Sequence, residues 1–314
     1  MTFYEIEFPL AGLSLGEVEA TLLEAGASSI TFVDRGDEPV LEPKPGEFRL
    51  WSDTLVRALF EETVGAGLEA GAARNLGRLA AVLGPHITHS ARVVAVKNQD
   101  WERAWLADWK PMRFGRRLWV CPTAADPPDD PEAVVVRLDP GLAFGTGTHP
   151  TTALCLQILD SLNVAGQTVI DYGCGSGILG IAALKLGAAH VTAVDLDPQA
   201  LLATRDNALR NGVSANIDVR GVDAQGAATP NAAAPDAAGA LQPAYCVMAN
   251  ILAGPLIELA PLLTAACAPR GYLLLSGLLK TQAYEVKAAY APAFDVLQVV
   301  LRDDWCCIYA RRGA

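Results

Sequence analysis

Thr168-Val169-Ile170-Asp171-Tyr172-Gly173-Cys174-Gly175-Ser176-Gly177-Ile178-Leu179-Gly180 reads as the end of a β-branched strand, a turn of alternating glycines and the start of an apolar helix. The helical run continues to Leu186, and Gly187 stands where a helix C-terminal glycine would. Strand, glycine turn and helix bring backbone N–H groups and a helix N-terminus up to a ligand. A Cβ in the turn would block both the backbone angles and that approach. The fold implied is α/β, a doubly wound sheet with a ligand crevice at the carboxyl ends of its strands.

Two ligand classes use such a turn. Gly175, Gly177 and Gly180 match G-x-G-x-x-G, the dinucleotide fingerprint, which keeps a nicotinamide-dependent oxidoreductase open. Asp171 and Gly173 extend the pattern to Asp-x-Gly-x-Gly-x-Gly. A carboxylate at Asp171 would face a pyrophosphate unfavourably and would suit a ligand that offers an ammonium group. S-adenosylmethionine carries an ammonium and a carboxylate at its methionine end, and the stretch resembles the first motif of class I methyltransferases. A tight turn with no ligand is the bland alternative, but it needs only one glycine.

Further candidates lie along the chain on either side. Asp195 ends the strand from Val191 to Leu196, about 20 residues beyond the turn, where an acidic residue meets ribose hydroxyls. Asp197-Pro198 reads as N-cap and first helical residue, which leaves Asp195 free for ligand. Asp223 follows a short strand and is a weaker candidate for the adenine. Asn250 follows the strand from Tyr245 to Ala249 and either faces the crevice or caps the next helix, Leu256 to Cys267. Asp139 to Thr152 is rich in glycine and hydroxyls and would close over one end of a cofactor; Thr148 is a possible helix cap and His149 a surface residue. Strands from Gly271 to Ser276 and from Phe294 to Leu301, then a last strand from Trp305 after Asp303-Asp304, continue the doubly wound pattern and close it with a hairpin.

The first ninety or so residues read β-α-β-β-α-β, as in ferredoxin-like domains. Ser14 and Glu17 suggest a capping box, with Val18, Leu22 and Leu23 inward on the helix that follows. The expected organisation is a domain over 1–98, a linker over 99–125 with a helix striped by Trp101, Trp105 and Trp109, and a second domain over 126–314. Gln225 to Pro243 is alanine- and proline-rich and reads as an insertion without chemistry.

Composition narrows the function classes. A formal net charge of −11 over 314 residues disfavours a grip on bare nucleic acid and leaves a basic partner or plain solubility open. No apolar run is long enough for a membrane span, and the acidic N-terminus does not look like a signal peptide. Seven scattered cysteines, without a repeated Cys-x-x-Cys, argue against a disulfide framework or structural zinc and suit a reducing cytoplasm.

Taken together, Asp139 to Thr152, Val169 to Gly177, Asp195 to Pro198 and Asn250 to Leu256 resemble the bacterial ribosomal protein L-eleven methyltransferase family, as does the run from Trp101 to Trp119. The resemblance implies a small N-terminal domain that binds the ribosomal protein and a class I methyltransferase domain behind it. It implies methylation of lysine and α-amino groups with S-adenosylmethionine as donor, and it makes Thr152, Gly173, Asp195 and Asn250 cofactor-binding residues, with Asp171 and Gly175 added by the reading above. The insertion departs from the family. No side chain stands out as a dedicated base and no metal set is evident. Other methyl acceptors and a non-catalytic ribosome-assembly binder remain open.

Overall fold

The computed structural model describes residues 3–36, 50–61, 68–96, 110–139, 147–223 and 241–314. The chain divides into two compact units, Met1–Ala104 and Trp105–Ala314. The expected tryptophan stripe, half of the Asp139 to Thr152 run and the bulk of the insertion lie outside the described residues.

The first unit runs β1 (Phe3–Pro9), α1 (Leu15–Glu24), β2 (Ala27–Asp34), β3 (Thr54–Glu61), α2 (Leu68–Leu83), a short α3 (His86–Ser90) and β4 (Arg92–Val96). Its antiparallel sheet has the order β2-β3-β1-β4, the ferredoxin-like arrangement. Tyr4, Ile6 and Phe8 alternate into the core with Val56, Ala58 and Phe60. Ser14 occupies the N-cap of α1, but its side chain makes no capping bond. Leu23 is 63% exposed, because α1 turns Val18, Thr21 and Leu22 inward instead.

The second unit begins with strands where a linker was expected. β5 (Met112–Phe114) pairs antiparallel with β6 (Leu118–Cys121), and β7 (Val134–Arg137) joins β6 in parallel. Phe114, Leu118 and Val120 are buried in the main core of this unit, so residues up to Cys121 belong to it. The turn between β5 and β6 is tied down by Asp160 of α4 (Pro150–Ser161), whose carboxylate accepts from the Arg116 N–H at 2.5 Å and the Arg117 N–H at 3.2 Å. Gly115 has φ +70° here, and a Cβ would stand 2.5 Å from the Asp160 carboxylate.

Seven strands form the central sheet: β8 (Thr168–Tyr172), β9 (His190–Asp195), β10 (Ile217–Gly221), β11 (Ala244–Asn250), β12 (Cys267–Leu279), β13 (Phe294–Arg302) and β14 (Trp305–Arg312). Their order is β10-β9-β8-β11-β12-β14-β13, parallel through β12, with β14 antiparallel to both neighbours. Both faces are covered, one by α4, α5 (Ile178–Lys185) and α6 (Pro198–Arg210), the other by α7 (Ala253–Glu258), α8 (Ala260–Ala266) and α9 (Ala283–Tyr290). The central strands are therefore apolar on both sides. The single helix expected after Asn250 is two, since Pro261 fits only the first turn of a helix and restarts it as α8. The strand order reverses between β8 and β11, which opens a crevice at their carboxyl ends.

Candidate active site

A cavity of about 880 Å³ occupies that crevice. Tyr172 and Gly173 after β8, Asp195 at the end of β9, Asn250 at the end of β11 and Gly277 in β12 all line it. Val222 and Asp223 border it just after β10, Glu258 from α7 and Trp305 from β14.

The glycine turn spends its backbone donors internally. The N–H groups of Gly173 and Cys174 both donate to the Val194 carbonyl, that of Gly175 to Asp195, and that of Gly177 to the Cys174 carbonyl. From behind, Thr204 of α6 donates to the Gly175 carbonyl at 3.0 Å and Asn207 to the Ser176 carbonyl at 2.9 Å. Such a turn offers no cradle of free N–H groups at these positions for a pyrophosphate. Asp195 accepts from Gly175 N–H through one oxygen at 2.8 Å and from Asp197 N–H through the other at 3.0 Å. Its carboxylate is thus fixed at the cavity wall with lone pairs to spare. Asp197 caps α6 by accepting from Gln199 N–H, as the sequence suggests.

Asp171 departs from expectation. It is buried, does not line the cavity, and its carboxylate accepts from Gly180 N–H at 2.8 Å. Strand alternation turns it to the α5 side of the sheet, where Gly180 N–H meets it, while its neighbour Tyr172 reaches the cavity. Burial pushes its carboxyl up to about 7, against the bond from Gly180. Tyr172 is also pushed up, to about 12, by burial and then by Asp223 and Asp195.

Thr152 is fully buried, and its hydroxyl accepts from the Asn250 amide nitrogen at 3.2 Å. It serves the cavity through Asn250, while its neighbour Thr151 lines the wall. This bond orients the Asn250 amide, whose Oδ1 is buried without a hydrogen-bond partner among the described residues. Gly175 acts through its bond to Asp195 and does not itself border the cavity. Gly173 does, with φ +72°.

His149, expected on the surface, caps α4: its Nδ1 accepts from Thr151 N–H, and the ring meets Trp305 edge-on with centroids 4.8 Å apart. Burial lowers its pKa, which favours the neutral ring that this cap requires.

The charge of the cavity is one-sided. Asp195, Asp223 and Glu258 line it, and no lysine or arginine does among the described residues. Such a wall suits a cationic guest that brings its own donors. S-adenosylmethionine would fit such a wall: its positive charge suits the carboxylates, its ribose hydroxyls could bond Asp195, and its ammonium could donate to the Asn250 oxygen. A dinucleotide fits poorly, since its pyrophosphate would meet carboxylates and a turn whose N–H groups are already bonded.

Sequence reading missed Thr204, Asn207 and Trp305. The first two carry a signal, polar residues three apart on the inward face of an amphipathic helix. Trp305 reaches the cavity only through the closing hairpin.

Comparison with known proteins finds matches along nearly the whole chain. The family model for ribosomal protein L11 methyltransferase matches residues 2–313. The ribosomal protein L11 methyltransferase of Sodalis glossinidius is 47% identical over 316 residues, 99% of this chain and 100% of that protein. Its counterpart from Escherichia coli strain SMS-3-5 is 48% identical over 317 residues, covering both chains completely. Among solved structures, the ribosomal protein L11 methylase from Lactobacillus delbrueckii subsp. bulgaricus is 31% identical with a TM-score of 0.56, covering 66% of this chain and 100% of that one.

Proposed function

This chain belongs to the ribosomal protein L11 methyltransferase family, and from that membership we propose that it transfers methyl groups from S-adenosylmethionine to amino groups of ribosomal protein L11. The acceptors in this reading are lysine ε-amino groups and the N-terminal α-amino group. The observation that carries it is the Asn250 oxygen, buried without a partner among the described residues, beside a cavity walled by Asp195, Asp223 and Glu258.

When bound, the cofactor supplies a methyl already activated by its sulfonium. The protein's task is to align an amine with it and exclude water. Asp195 would hold the ribose hydroxyls, its own place fixed by Gly175 and Asp197. Gly173 would bring its backbone against the methionine end, because no Cβ stands between. Asn250 Oδ1 would accept a hydrogen from the ammonium of the cofactor or from the incoming amine, with Thr152 keeping the oxygen, not the nitrogen, forward. An acceptor lysine must first lose a proton from a reference pKa of about 10.4, and desolvation within the cavity would lower that value. The negative charge of the cavity would attract the cationic side chain before it is desolvated.

The Met1–Ala104 unit is assigned to substrate recognition and the unit from Trp105 to the chemistry. Seven free, buried cysteines support a reducing compartment, the cytoplasm. No helix among the described residues is long and apolar enough to cross a membrane. The test is incubation of the purified chain with S-adenosylmethionine and recombinant ribosomal protein L11, read by mass spectrometry of the intact protein and its peptides. Methyl additions on amino groups are expected; an unmodified ribosomal protein beside demonstrable cofactor binding would refute the reading.

A further inference from the structure

We propose that Ile251 is a positioning residue, a wedge seated between two left-handed glycines that fixes the cofactor turn and the Asn250 amide relative to each other. The proposal rests on the roles given above to Gly173 and Asn250. Ile251 follows Asn250 directly and is half-buried: it packs against the core on one side and borders the cavity on the other.

Its side chain leans on the first glycine. A Cβ at Gly173 would stand 2.3 Å from the Ile251 Cγ2 methyl, far inside van der Waals contact. Its backbone leans on the second. A Cβ at Gly277 would stand 2.3 Å from the Ile251 carbonyl oxygen, 2.7 Å from its carbon and 2.9 Å from its nitrogen. Gly277 has φ +85° and falls where the pairing of β12 with β14 shifts register, between Leu275 and Leu278. In the parallel ladder Asn250 pairs with Ser276, so the irregular residue lies beside Ile251. Ser276 in turn donates to the Cys306 carbonyl at 3.0 Å and the Thr151 carbonyl at 3.3 Å, which ties this corner to the start of α4. Asn250 is therefore held at its amide by Thr152 and along its chain by the seated Ile251.

The two contacts differ in kind, and that difference is testable. Shortening Ile251 makes room for a methyl at residue 173 but none at residue 277, where the obstacle is backbone. The full chain is titrated calorimetrically with S-adenosylhomocysteine, and steady-state kcat and KM are measured with recombinant ribosomal protein L11. Gly173→Ala should weaken the ligand by at least about tenfold, and adding Ile251→Ala should recover at least about threefold of that loss. Gly277→Ala should lower kcat, and Ile251→Ala should recover none of it. Absence of recovery in the first pair, or equal recovery in both, overturns the proposal. If Gly277→Ala does not fold, the Ile251 series decides alone. Valine keeps both Cγ atoms and should keep most of kcat, while alanine should lose at least about tenfold with little change in KM for the ribosomal protein. Equal kcat in wild type, valine and alanine variants overturns it. A wild type that binds S-adenosylhomocysteine but leaves the ribosomal protein unmodified refutes the functional reading, and the calorimetric pair still decides the proposal.

Discussion

Asp171→Asn should stabilise this protein at alkaline pH while leaving its cofactor affinity almost intact. The carboxyl is buried and raised from 3.8 to about 7. A folded-state pKa above the unfolded value means that the unfolded chain gives up its proton first. Stability is therefore fully present below about pH 4 and is lost as pH rises to about 7, then stays level. At about pH 5 the shift has cost roughly one unit, or about 1–2 kcal/mol; above about pH 7 it has cost some three units, or about 4 kcal/mol. Asparagine keeps an oxygen for the 2.8 Å bond from Gly180 N–H and carries no charge. The variant's gain over wild type should accordingly grow by about 3 kcal/mol between about pH 5 and about pH 8, measured by urea unfolding of the cofactor-free chain. Calorimetric affinity for S-adenosylmethionine at neutral pH should change by less than about threefold, because the carboxylate does not border the cavity. A large loss of affinity with a flat difference in stability would show that Asp171 faces the ligand ammonium after all.

Asp195→Ala should weaken cofactor binding by about 1–3 kcal/mol, the scale for charged hydrogen bonds, and should raise hydrogen exchange at Gly175, whose N–H loses its acceptor; wild-type affinity in calorimetry would contradict the ribose assignment. Asn250→Ala should lower kcat/KM by at least about tenfold, or ~1.4 kcal/mol, with little change in melting temperature; normal turnover with a large fall in melting would make Asn250 a structural cap. A chain beginning near Lys110 should fold and bind S-adenosylmethionine but methylate the ribosomal protein poorly. One beginning at Asp126 should fail to fold stably, since it lacks Phe114, Leu118 and Val120 of the core; circular dichroism of the two fragments decides.

What the sequence discloses here depends on how local the cause is. The glycine turn, the Asp197 cap and the place of Asp195 are set within a few neighbouring residues, and each is found where its spacing puts it. The side to which Asp171 points depends on strand alternation relative to a cavity that only the assembled sheet defines. β5 and β6 are three and four residues long and owe their existence to pairing and to Asp160, 43 or more residues away, so no period marks them. Leu23 shows the limit of hydrophobicity as a guide, since helix phase buried Thr21 in preference to it. His149 and Trp305 meet only because the final hairpin returns beside α4.

The one-sided charge of the cavity bears on turnover as well as recognition. Methyl transfer converts a sulfonium into a neutral thioether, so a cofactor held in this cavity as proposed would lose its attraction for Asp195, Asp223 and Glu258 once its methyl has left. Charge alone then ranks fresh donor above spent donor in the same shape of cavity. The wall that admits the cofactor thereby also eases its replacement, and does so through residues that take no part in making or breaking a bond.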